Sequence, residues 1–246
     1  MKLAMELPTA YLAEYSPLCD IDFALAQEVL EDKAYAAFYK KQSAAGRYVI
    51  LDNGFHELGH PLDLKSLAEA AELIDPSVVI APDWLGEPEK TLKSFETTLT
   101  AFKPKWPVGC VLGGKTQEER QYFFNAVYSR TALLCLPFKE PRLDWFRDLA
   151  DTFYSYRWPR IHLLGVNELQ ELADFRQTFL ANGVNHDYFV SVDTGKPMKW
   201  AIQGTRLTLS KSLRGSTTTR LAKQDKLTPT QKADFLYNTA FLRKYV

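Results

Sequence analysis

Short apolar runs alternate with helix-type patterns along almost the whole chain, and this alternation limits the folds open to it. Tyr48–Asp52, Val78–Pro82, Val108–Leu112, Ala132–Leu136, Ile161–Gly165 and Tyr188–Asp193 have the length and character of strands buried on both faces. Helices are predicted after them, near 63–73, 88–102, 116–128, 143–153, 167–180 and 197–202, with a closing helix over 229–242. Local signals agree. Asp63 stands where an N-cap is needed, Pro88 suits a first turn, Thr116 and Glu119 have capping-box spacing, and Asn182-Gly183 reads as a stop.

At the N-terminal end, Leu3–Leu12 forms a first apolar segment. Asp22–Lys41 reads as one helix, with Phe23, Ala26, Leu30, Ala34, Ala37 and Phe38 on its buried face. Arg206–Leu209 is a candidate eighth strand. Seven or eight β/α units in order predict a (β/α)8 TIM-type barrel, irregular in its C-terminal units, with a doubly wound open sheet as the alternative. No linker or repeat divides the 246 residues. The expectation is a single barrel domain over 1–246 with the basic segment 196–246 packed on it.

Composition narrows the class. Apolar residues make up 46% of the chain, enough for a full core. Lys+Arg and Asp+Glu are equal at 30 each, so bulk charge does not select a polyanionic partner. Between Lys196 and Lys226, however, eight basic residues face a lone Asp225, and phosphate contacts are expected from Lys196, Lys199, Arg206, Lys211 and Arg214. Cys19, Cys110 and Cys135 are odd in number and far apart, which points to a reducing, cytoplasmic setting. His56, His60 and His162 lack metal-ligand spacing, and no cysteine pair supplies a zinc motif, so no metal is expected. Met1–Pro8 does not read as a signal peptide, and no apolar run is long enough to span a membrane.

Four of the apolar runs stop at residues suited to chemistry. Three end in Asp52, Asp83 and Asp193, and one ends in the Gly113-Gly114 turn. Strand C-termini of a parallel barrel gather at one rim, so these side chains are expected to converge on one pocket. Three carboxylates there suit developing positive charge or proton transfer. Read from the residues alone, Asp52-Asn53-Gly54 is also a turn, and Asp193 reads first as a cap on the turn before Lys196-Pro197.

Five motifs in order resemble the tRNA-guanine transglycosylases, and in particular their short zinc-free relatives that insert 7-deazaguanines into phage DNA. They are Ile50-Leu51-Asp52-Asn53-Gly54, Val79–Gly86 with Thr91, Val111-Leu112-Gly113-Gly114 with Thr116 and Glu118, His162–Val166, and Ser191–Thr194. The likeness runs from about Leu7 to Pro197. Leu112 departs from it by standing where the family usually has a base-holding Gln. Phe55-His56 replaces a small-residue turn, and the Cys/His zinc module is absent.

The resemblance implies exchange of guanine in DNA, more than in tRNA, for a 7-deazaguanine through an aspartyl-sugar intermediate, without a cofactor. It makes Asp193 the nucleophile and Asp52 the proton-handling group. Asp83 would read the base edge, assisted by Asn53, Gly54, Phe55, Trp84, Gly113, Gly114 and Gly165. Host cytoplasm is the implied location if the chain is phage-encoded. The rival readings are tRNA-directed exchange, a nucleoside or glycoside hydrolase using the same carboxylates, and a non-catalytic nucleobase-binding barrel.

Overall fold

A computed structural model describes residues 1–138, 142–144, 146, 159–166, 168–181, 190–208, 221 and 226–246. Its strands are β1 (Lys2–Met5), β2 (Asp22–Leu25), β3 (Val49–Asp52), β4 (Val78–Ile80), β5 (Val108–Val111), β6 (Leu133–Pro137), β7 (Arg160–Leu164) and β8 (Val190–Thr194). They lie in the order β1-β8-β7-β6-β5-β4-β3-β2. The pairs β1–β8, β2–β3, β3–β4, β4–β5 and β5–β6 are parallel. With helices alternating between strands, the fold is the expected (β/α)8 barrel. The chain divides into two compact units, Ile21–His162 and Met1–Asp20 with Leu163–Val246.

In the unit Ile21–His162, β2, β3, β4 and β5 are buried at every position, which is why their sequences are continuous apolar runs and not alternating ones. The main helices are α1 (Ala26–Glu31), α2 (Lys33–Ala44), α3 (Leu64–Ile74), α4 (Pro88–Phe102) and α5 (Gln117–Val127). The starts of α2, α3 and α5 are fixed by side chains that accept otherwise orphaned main-chain N–H groups. Asp32 Oδ1 accepts from Ala34 N at 2.8 Å, Asp63 Oδ1 accepts from Ser66 N at 2.9 Å, and Thr116 forms a reciprocal box with Glu119. Each such cap contributes about 1 kcal/mol.

One expectation is corrected here. Asp22–Lys41 is not one helix: Asp22–Leu25 is a buried strand, paired in register with Val49–Asp52. Asp22 accepts Arg47 Nε at 2.7 Å and Nη2 at 3.1 Å, anchoring the strand's start. Phe23 and Ala26 fall at helical spacing by coincidence, and strand pairing overrides the local pattern. Asp32 then caps a second helix whose buried residues are Tyr35, Ala36 and Tyr39, not Ala34, Ala37 and Phe38.

In the other unit, β1 and β8 pair, and α6 (Leu169–Ala181), α7 (Lys196–Ile202) and α8 (Pro229–Leu242) surround them in sequence. Asn238 of α8 is fully buried. It donates to Pro197 O at 3.2 Å and Thr205 O at 3.0 Å and accepts Leu207 N at 2.7 Å. That last bond explains a second correction. Residues 205–208 form no strand, because Leu207 N is held by a side chain where a strand would use a neighbouring main chain. The Asn182-Gly183 stop and most of the helix expected over 143–153 lie outside the described residues. Among the described residues no helix is long and apolar enough to cross a membrane.

Candidate active site

The C-terminal ends of β2, β3 and β4 assemble a polar cluster inside the unit Ile21–His162. Asp52 is the last residue of β3 and is buried. Its Oδ2 accepts Gly54 N at 2.9 Å, while Asn53 Oδ1 accepts Phe55 N at 2.9 Å. Two successive side-chain-to-backbone turns therefore reverse the chain, with Gly54 at φ +80°, a conformation that favours glycine. The turn signal read in the sequence is real, and it coexists with a buried carboxylate at the strand end.

Asn53 reaches the next strand as well. Its Nδ2 donates to Ala81 O and to Asp83 Oδ1, each at 2.8 Å. Asp83 follows β4 and is half-buried; besides Asn53, its own main-chain N–H holds its carboxylate. Burial pushes its pKa up to about 6, against the opposing pull of the Asn53 hydrogen bond. A carboxyl titrating there is suited to receive or return a proton near neutrality.

The other residues expected around this cluster have local tasks. Trp84 exchanges hydrogen bonds with Thr91, its N donating to Thr91 Oγ1 at 2.9 Å, and the Lys90 ammonium lies 4.5 Å above its ring. Phe55 opens a single helical turn, Phe55–Leu58, set between Gly54 and Gly59, both left-handed. A Cβ at Gly113 would sit 3.4 Å from Pro88, and one at Gly114 would lie 2.7 Å from Arg120 Cγ. These glycines permit close packing against α4 and α5.

Asp193 lies in the other unit, on β8, where its Oδ1 accepts Gly165 N at 2.9 Å. Gly165 thus presents its N–H to Asp193. Lys199 pairs with Glu6 at 3.3 Å, both largely buried, and Gly195 allows the approach, since a Cβ there would meet Glu6 Oε2 at 2.7 Å. Lys196 is half-buried and its pKa is lowered, first by desolvation and then by Lys199. Arg206 Nε donates to Asp234 Oδ1 at 2.7 Å, and its guanidinium lies 5.0 Å from the Tyr237 ring centre. Lys211 and Arg214 lie outside the described residues.

Sequence reasoning missed Gln27. It is the second residue of α1, directly after β2, and is 3% exposed. Among the described residues neither Oε1 nor Nε2 has a hydrogen-bond partner. A Cβ placed on Gly54 would lie 2.4 Å from Oε1, so the amide lies directly against the Asp52–Gly54 turn. A strand ending at Leu25 would have exposed the signal: a polar residue just past a buried apolar run.

No family model and no curated protein matches the chain. In shape it is similar to N-acetylneuraminate lyase from Mycoplasma synoviae (TM-score 0.50, 11% identity, 82% of this chain and 74% of that one). It is also similar to dihydrodipicolinate synthase from Rhodopseudomonas palustris (0.51, 14%, 79% and 69%) and to that from Agrobacterium tumefaciens (0.52, 10%, 99% and 78%). Likeness at this identity concerns the fold. These findings correct the resemblance read in the sequence: the similar barrels are a lyase and synthases, not guanine transglycosylases, and no sequence family supports the latter. They do not support base exchange in phage DNA, a 7-deazaguanine substrate or an aspartyl-sugar intermediate. The physical reason is that a barrel gathers strand-end polar residues at one face whatever its chemistry, so Asp residues there do not select a reaction.

Proposed function

We propose that the chain is an enzyme that removes a proton from a small polar carbonyl compound, with Asp83 as the general base. The observation that carries this reading is the Asp83 carboxyl, anchored through one oxygen by Asn53 and raised to about 6 by burial. Near neutrality such a group is mostly ionised, yet basic enough to take a proton from a carbon next to a carbonyl. The C–H bond breaks, the proton passes to Asp83, and the electron pair moves onto the carbonyl oxygen as an enolate. Asp52, at the neighbouring strand end, holds the turn that orients Asn53. The names of the similar barrels, a lyase and synthases, agree with an enzyme.

Deuterium uptake at carbon tests the reading. Small carbonyl compounds are incubated with the protein in D2O and followed by proton NMR. Exchange should rise as pH passes through about 6, and Asp83→Asn should slow it by about 10²–10⁴-fold. Exchange that is indifferent to Asp83→Asn, or none with any compound of this class, excludes the proposal.

A further inference from the structure

We infer that Gln27 is a substrate-binding residue whose carboxamide recognises an uncharged α-hydroxy carbonyl unit beside the Asp52–Gly54 turn. This rests on the proton-abstraction reading for the carbonyl and adds the class of compound that carries it.

A buried amide with both polar atoms unmet is costly, about 1–3 kcal/mol for each unsatisfied group. Gln27 is such a group. Its place at the carboxyl end of β2, paired in register with the end of β3, is where a barrel collects its ligand-binding groups. The amide supplies donors at Nε2 and an acceptor at Oε1. An α-hydroxy carbonyl unit is its complement: the carbonyl oxygen accepts from Nε2, and the adjacent hydroxyl donates to Oε1. Charge selects the same class. Asp83 belongs to the same cluster through Asn53, so a carboxylate or phosphate at this place would meet like charge, whereas a neutral hydroxy ketone does not.

Ligand access requires movement, because Gln27 is covered. The Phe55–Leu58 turn follows Gly54 directly and ends at Gly59; a Cβ on Gly59 would meet nothing within 4 Å. A glycine at each end gives the main chain the freedom to lift this turn.

The probes are hydroxyacetone, a neutral α-hydroxy ketone, and pyruvate, its anionic counterpart. The side-chain NH2 of Gln27 is assigned by through-bond NMR on the wild-type protein and followed during titration with each. Hydroxyacetone should shift this NH2 pair and pyruvate should not. Gln27→Met should weaken hydroxyacetone binding at least tenfold, while the melting temperature of the free protein stays level or rises because an unmet amide is removed.

Three results overturn the proposal: an NH2 pair that ignores hydroxyacetone, hydroxyacetone binding by Gln27→Met within twofold of wild type, or a shift caused by pyruvate instead. A Gln27→Met protein that melts several degrees lower also counts against it, since the amide would then be satisfied without ligand. The two readings fail separately. Binding through Gln27 without deuterium exchange removes Asp83 as base and leaves the recognition; exchange without movement of the Gln27 signal removes the recognition alone.

Discussion

Asn53 binds Asp83 across two strand ends, Nδ2 to Oδ1 at 2.8 Å, while its own Oδ1 holds Phe55 N. One buried side chain thereby ties the turn after β3 to a carboxyl whose pKa is pushed to about 6. The geometry of the proposed base depends on a neutral amide that is itself fixed from three sides.

Asp83 should make stability depend on pH. Its folded pKa is raised, so the stabilisation is complete below the ordinary aspartate value of about 4 and is lost as pH rises through about 6. Denaturant unfolding of wild type should lose about 1–3 kcal/mol over that window, after discounting for partial exposure. Asp83→Asn should flatten this part of the profile.

Replacing Asn53 by Ala removes donors to Ala81 O and Asp83 and an acceptor for Phe55 N. The expected loss is about 2–4 kcal/mol. Carbon-detected NMR titration should also find the Asp83 pKa higher than in wild type, because the hydrogen bond that opposes desolvation is gone. An unchanged Asp83 titration would contradict the coupling.

Gly54→Ala faces two obstacles, a φ of +80° and a Cβ position 2.4 Å from Gln27 Oε1. The backbone part costs about 1–2 kcal/mol, and the contact adds to it. In a double-mutant cycle, Gln27→Ala should recover the contact part and leave the backbone part. Strict additivity of the two variants would show that the side chains do not meet.

In the other unit, Asn238→Ala should destabilise by about 2–4 kcal/mol, since it leaves Leu207 N and two carbonyls without their buried partner. Hydrogen exchange should report it most directly. The Leu207 amide, protected in wild type, should exchange much faster in the variant relative to amides of β8.

Much of the barrel is legible in the sequence because parallel strands covered on both faces must be apolar throughout. Val49–Asp52, Val78–Ile80 and Val108–Val111 announce themselves, and Asp63, Thr116 and Pro88 mark helix starts through their own short-range chemistry. β2 is hidden because Asp22–Leu25 runs straight into a helix and its apolar residues happen to keep helical spacing. With β2 hidden, Gln27 looked like an ordinary helix residue. The transglycosylase resemblance misled for a related reason: Asp52, Asp83 and Asp193 lie at or near strand ends, and a residue's place at a strand end does not select one reaction.

The sequence by itself determined the order of strands and helices from β3 onward to β8, since period, caps and turns act over a few residues, but not β2. Only the tertiary structure decided which polar groups meet. Asn53 on Asp83, Gln27 against Gly54 and Asp193 on Gly165 join residues 27 to 30 positions apart. Strand pairing sets those contacts, and burial then sets the proton affinity of Asp83, a property that no local pattern in the chain encodes.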